Sequence, residues 1–309
     1  MTIGAFIAAC GYILTGFVRT PLDLYISYGL MVGLGATGMG VVACSSSVGK
    51  WFIKKRGLAI GDYGFRHRYF SHWRYCFPNT DAQNAPEAYG LLPDGDKTEL
   101  PHHLSTPQTV NNISTLIIFK DSRFWTLAIC QGLAVMICMS VFVHQVAYAT
   151  DNGIGQMAAA TSLAAVSMTG FRGQFFFGWL TDRIKDPKYC AFLGMLFLLA
   201  GTILLLNART VGQLYFYAII YGFDYGSLAP MLPLLAADRF GRHVLGSIYG
   251  LLTFFIGVGG GIGPILGGFI YDHFGSYHYL WLINIFVLSC IAVAILTLKK
   301  GKQYTTAIS

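Results

Sequence analysis

The side chains best suited to chemistry here are ionisable groups set in apolar text. His144 lies near the end of one apolar stretch, Arg172 inside the next and Asp224 inside a third. A charge in hydrocarbon is costly, so each is a functional candidate by default. Gln131, Gln145 and Tyr148 share the stretch of His144, Gln174 follows Arg172 by two residues, and Tyr221 and Tyr225 flank Asp224. Amides, phenols, an imidazole and a carboxylate can hold a small polar solute or relay a proton. For His144, a packed or interfacial histidine competes with a proton or solute contact. Asp224 reads as a proton-coupling carboxylate or as a paired structural group, and an Arg172–Asp224 ion pair is one arrangement open to it. Catalysis of a reaction needs other groupings. His102, His103 and His144 form neither a nucleophile–base pair nor a metal cluster. The 7 cysteines are scattered without CxxC spacing. The reading is no enzyme, no metal and no cofactor.

The elements that must position these groups are membrane helices. The 309 residues are 54% hydrophobic and 11% charged, where a soluble domain carries roughly 25% charged residues. Lipid in place of water explains the shortage. A span needs about 20 mostly apolar residues. Such stretches run near Thr2–Phe17, Leu22–Val48, Phe124–Tyr148, Gln156–Leu180, Tyr189–Asn207, Gly212–Leu235, Leu245–Ile270 and Tyr279–Leu298. The first is short. The expected class is all-α, a polytopic membrane bundle of about eight transmembrane helices. Met1 opens an apolar run without a charged leader and does not read as a signal peptide.

The net charge of +7 is distributed as a topology signal rather than as a nucleic-acid stripe. Lys50, Lys54, Lys55, Arg56, Arg183, Lys185, Lys188, Arg239, Arg242, Lys299, Lys300 and Lys302 fall on one side of the alternating spans. Arg19 and Arg209 fall on the other. The positive-inside rule then puts both termini in the cytoplasm of a multi-pass protein of the cell membrane. The expected division is a two-helix partial bundle over 1–61, a cytoplasmic linker over 62–123, a six-helix bundle over 124–300 and a tail over 301–309.

Several segments resemble the major facilitator superfamily. Trp51-Phe52 with Lys55-Arg56-Gly57-Leu58-Ala59-Ile60-Gly61 resembles the loop after that family's fourth helix. Pro86-Glu87-Ala88-Tyr89-Gly90 through Asp96 looks like the stretch after the sixth helix in prokaryotic members. Phe124-Trp125, His144 through Tyr148 and Asp151-Asn152-Gly153-Ile154 resemble the seventh helix and its outer loop. Gly178-Trp179-Leu180-Thr181-Asp182-Arg183 resembles the loop between helices eight and nine. Asp238-Arg239-Phe240-Gly241-Arg242, Gly246 to Gly250 and Tyr271-Asp272 match the last three helices. The branch most similar is the monocarboxylate and oxalate/formate type.

The resemblance implies twelve helices in two halves, a solute site between them, and secondary active transport by alternating access. The solute implied is a small organic anion, a monocarboxylate or dicarboxylate, with a coupling proton as a second partner and the lipid bilayer as surroundings. The candidates to meet the solute, taken from the polar side chains set in the spans, are Gln131, His144, Tyr148, Gln174, Tyr221 and Asp224. Arg172, Asp182, Arg183, Gly257, Gly261 and Pro264 are structural or gating candidates, although glycines also serve plain helix contact. Two departures stand out. Relatives place an arginine or lysine where this chain has Gln174, and Arg172 points roughly to the opposite helix face. Arg172→Ala is therefore expected to hurt stability or insertion more than selectivity. Gly61 and Ala85 also lie too close for the family's fifth and sixth helices, which need about 40 residues, so the chain reads as a shortened relative. A transport-inactive remnant is the competing function.

Overall fold

The structure, a computed structural model, describes residues 2–16, 18, 20, 23, 27, 57, 118–241 and 244–300. Most of the predicted span Leu22–Val48 and most of the 62–123 linker lie outside them. The chain divides into two units, Met1–Ser47 and Val48–Ser309. In the first unit α1 runs Thr2–Thr15. Its 14 residues fall short of the roughly 20 that cross a bilayer.

The second unit holds the other helices among the described residues. They are α2 (Ser122–Asp151), α3 (Gln156–Arg183), α4 (Pro187–Leu206), α5 (Val211–Tyr225), α6 (Leu228–Phe240), α7 (Leu245–Phe274) and α8 (His278–Leu296). Local chemistry sets their ends. Asp121 caps α2 and accepts from the Arg123 backbone N–H. Asp186 caps α4, with Pro187 in the first turn, where its missing N–H costs nothing. Thr210 and Gln213 form a reciprocal capping box on α5. Gly275, at φ 65°, closes α7 in the left-handed region that favours glycine.

Among the described residues, five stretches are long and apolar enough to cross a membrane: Ser122–Asp151, Pro187–Leu206, Val211–Phe240, Leu245–Phe274 and His278–Leu296. The predicted span Gln156–Leu180 is helical as α3 but falls outside this set, because Gln156, Arg172, Gln174, Asp182 and Arg183 lower its hydropathy. Phe254, Ile265, Phe286 and Val293 are exposed, as lipid-facing side chains are. The predicted span Gly212–Leu235 differs in a more telling way. It is two helices, α5 and α6, separated at Gly226-Ser227. Pro230 and Pro233 follow the break and withhold two backbone donors from α6.

Glycine lets the backbones touch. Gly259, Gly263 and Gly267 lie on one stripe of α7, and a Cβ on any of them would overlap Gly132 O, Met136 O or the His144 ring of α2. On the α3–α5 seam, Gly173 meets the Phe223 carbonyl and Gly226 meets the Gly170 carbonyl at the same close range. Membrane helices use small residues in this way because van der Waals contact, not hydrophobic exclusion, holds them together.

Candidate functional site

Two polar regions stand out in the second unit. The first surrounds Asp224, near the middle of the 30-residue stretch Val211–Phe240. Tyr217, Tyr221 and Asp224 recur at helical spacing, share one face of α5 and are fully buried. Asp224 sits one turn before the helix break, and its Oδ1 accepts from Ser227 Oγ at 2.5 Å. Its Oδ2 is buried without a partner. On α2, Gln131, Cys138 and Gln145 recur every seven residues and are buried. The Tyr217 hydroxyl donates to Gln145 Oε1. The Tyr221 hydroxyl and the amide nitrogens of Gln145 and Gln131 are buried and unpartnered. α4 approaches Asp224 closely at Gly194, where a Cβ would collide with the carboxylate. Buried polar atoms are nearly always paired, so this group of orphans is unusual.

The other sequence-predicted residues are placed as follows. His144 joins α2 to the loop after α7 and to α7 itself. Its Nε2 lies 2.9 Å from Pro264 O and its Nδ1 3.3 Å from the Tyr277 hydroxyl. That geometry fits the tautomer with its proton on Nε2. The two bonds and the close face of Gly267 make it a packed histidine at the α7 proline. Burial, with Tyr271, Asp151 and Asp272 nearby, pushes the Tyr277 hydroxyl above the ordinary tyrosine range. Tyr148 donates to Leu206 O at 2.7 Å and packs edge-on against Trp281, closing the end of α4. Gln174 is half-buried on α3, and Arg172 is exposed on that helix. Arg172 forms no ion pair with Asp224 or with any other described residue. Gly257 and Gly261 lie on the open side of α7, with nothing within 4 Å of a Cβ. The close-contact glycines of that helix are the neighbouring stripe.

The second region is a charged cluster at the end of the unit where α2, α6 and the α3–α4 connection meet. Arg239 is fully buried, donating to Asp186 Oδ1 at 2.6 Å and to Asp238 Oδ2. Arg123 pairs with Asp121 at 2.5 Å, donates to Arg239 O at 3.0 Å and lies over the Phe240 ring. Asp182 accepts from the Gly57 backbone N–H at 2.6 Å, and Arg183 lies over the Trp179 ring at 4.6 Å. Lys188 reaches Leu296 O at the end of α8, a favourable place for a cation.

Sequence reasoning missed three of these contacts. Arg239 reads as one more flanking charge, yet it is the fully buried one; the Asp238-Arg239 doublet was the available signal. Ser227, three residues after Asp224, was another. Asn284 of α8 donates to Ser140 of α2 in the core at 3.1 Å, and a lone asparagine in a strongly apolar span could have marked it.

Known proteins resemble this chain in both sequence and fold. The sequence pattern described as Major Facilitator Superfamily matches residues 124–307. Monocarboxylate transporter 12-B of Danio rerio is 25% identical over 335 positions, which cover 93% of this chain and 69% of that protein. Monocarboxylate transporter 13 of Rattus norvegicus is 28% identical over 293 positions, covering 89% and 67%. The fucose:proton symporter of E. coli superposes with a TM-score of 0.64 at 16% identity, over 97% of this chain and 83% of its own. A human organic anion transporter does so with a TM-score of 0.64 at 13% identity, over 95% and 75%. At such identities these two structures speak for the fold alone.

Proposed function

The chain belongs to the Major Facilitator Superfamily and is a multi-pass membrane protein that carries a small solute by secondary transport; we propose that the solute is a small organic anion of the monocarboxylate or dicarboxylate class, moved by alternating access. The observation that carries the class is the similarity to monocarboxylate transporters along nearly the whole chain. The resemblance of the sequence motifs to the oxalate/formate type extends the class to dicarboxylates. The Asp182 and Arg183 contacts are proposed to hold one conformation and to loosen in the other. The proposed setting is the cell membrane with both termini cytoplasmic, which reporter fusions at Lys50 and Lys299 would test by reporting the same face.

Uptake into proteoliposomes tests the solute class. Labelled lactate and oxalate should enter and compete with each other's entry, and a neutral sugar should not. Entry of the sugar with exclusion of both anions would overturn it. A second reading, a transport-inactive relative, is favoured by residues 62–84. Their basic, aromatic text departs from the family pattern and is too short for two spans of about 20 residues each. Restoring two spans there and gaining uptake that the native chain lacks would establish that reading.

A further inference from the structure

We propose that Asp224 carries the coupling proton, taking it up on Oδ2 from water on one side of the membrane and releasing it on the other. The inference rests on the transport reading above and names the group that serves it.

The described helices carry acids elsewhere, but at their ends. Asp121 and Asp186 are caps, while Asp151, Asp182, Asp238 and Asp272 lie in last turns. Asp224 too lies in a last turn, that of α5, but there the chain continues within the apolar stretch Val211–Phe240, and the side chain is fully buried. A buried carboxylate left ionised must find a cation or several donors, because the interior penalises bare charge severely. Asp224 has neither. Its own helix offers Tyr217, Tyr221 and Tyr225, and the break offers Ser227 with a single bond to Oδ1. α2 presents Cys138, and α4 presents the bare backbone of Gly194. α3 meets α5 through Gly170 and Gly173, while its one central cation, Arg172, is exposed and does not reach Asp224. A proton is the ligand that this geometry accommodates on Oδ2. It neutralises the group, needs no cavity, and turns the orphan acceptor into a donor that can reach a neighbouring oxygen.

The location suits a carrier. Intramembrane carboxylates mark proton relays, and transporters place coupling sites where spanning helices are interrupted. Ser227 begins the second segment, so the bond that fixes Asp224 also bridges the break. A change in the charge of Asp224 acts directly on the joint between α5 and α6.

The test uses the full chain in proteoliposomes, with labelled lactate and oxalate as probes. Asp224→Asn keeps the shape of the protonated acid but cannot exchange its proton. Accumulation driven by a pH gradient should fall about tenfold or more in this variant, and the uptake that remains should lose its dependence on pH. Ser227→Ala should keep coupling and move its pH midpoint. A hydrophobic carbodiimide provides a readout that needs no variant. It adds across the O–H of a protonated acid, whose proton passes to the carbodiimide nitrogen. Mass spectrometry should find the adduct on Asp224 of the native chain, with less of it as pH rises. Unchanged gradient-driven accumulation in Asp224→Asn, or an unmodified Asp224 at every pH, would overturn the assignment. A native chain that moves neither probe counts against the transport reading instead, and the carbodiimide result still decides whether Asp224 holds a proton.

Discussion

The second unit buries charge in two places and treats it in opposite ways. At the charged end, Arg239 is enclosed between Asp186 and Asp238, and Arg123 reaches its backbone carbonyl. Around Asp224, a fully buried acid has one hydroxyl donor and an open oxygen. The first arrangement compensates its charges on the spot, as a structural joint must. The second leaves its demand unmet, which suits a group that exchanges a ligand. Buried ion pairs resist removal of one partner strongly. A lone carboxyl that can be neutral tolerates an isosteric amide.

Substitutions that break or sharpen this contrast follow, from the largest expected effect to the smallest. Arg239→Ala strands Asp186 and Asp238 and should destabilise the protein by about 3–5 kcal/mol. Size-exclusion profiles in detergent should show most of it misfolded, and a native profile would mean the pair is not a joint. Gly226→Leu forces a side chain into the Gly170 carbonyl at the α3–α5 seam and should cost about 1–3 kcal/mol. Gly261→Ala, on the open side of α7, should leave the melting temperature nearly unchanged, and an equal loss from both would refute the distinction between close-contact and open glycines. His144→Phe removes the bonds to Pro264 O and Tyr277, worth about 1 kcal/mol each, and thermal melts in detergent should read that loss. Asp224→Asn should lie within about 0.5 kcal/mol of the native protein, although it abolishes coupling; a loss like that of Arg239→Ala would show that Asp224 is structural too.

Alkaline pH gives the mildest test. The Tyr277 hydroxyl is held above its ordinary value of about 10 by burial and by its acidic neighbours. The stability it contributes is complete below the unfolded value and is lost as pH rises through the folded one. Tyr277→Phe should flatten that part of the unfolding profile.

The spans were legible because hydropathy over about 20 residues is a strong signal, and α2, α4, α7 and α8 match their predicted stretches closely. α3 was legible as a helix, although its polar face keeps it below the apolarity of its neighbours. The break between α5 and α6 was not legible, since Gly226, Ser227 and two prolines are common in membrane helices and fix no boundary by themselves. The Asp224 site was half visible. An acid among tyrosines announces itself, but that Arg172 faces away depends on helix rotation set by the glycine seams. The glycines of α7 show the same limit. Gly257 and Gly261 stand out by abundance, while which stripe touches α2 is decided by contacts that composition does not encode.

The interruption at Gly226-Ser227 also bears on how the chain is made. At about 1.5 Å per residue, α5 and α6 extend only about 22 and 20 Å, short of a hydrocarbon layer of about 30 Å. Neither segment crosses alone, and only the tandem is apolar and long enough. During synthesis the two must therefore be accepted by the insertion machinery as one unit. A charge introduced near Ser227 would strand α5 at the interface and reverse the threading of everything downstream.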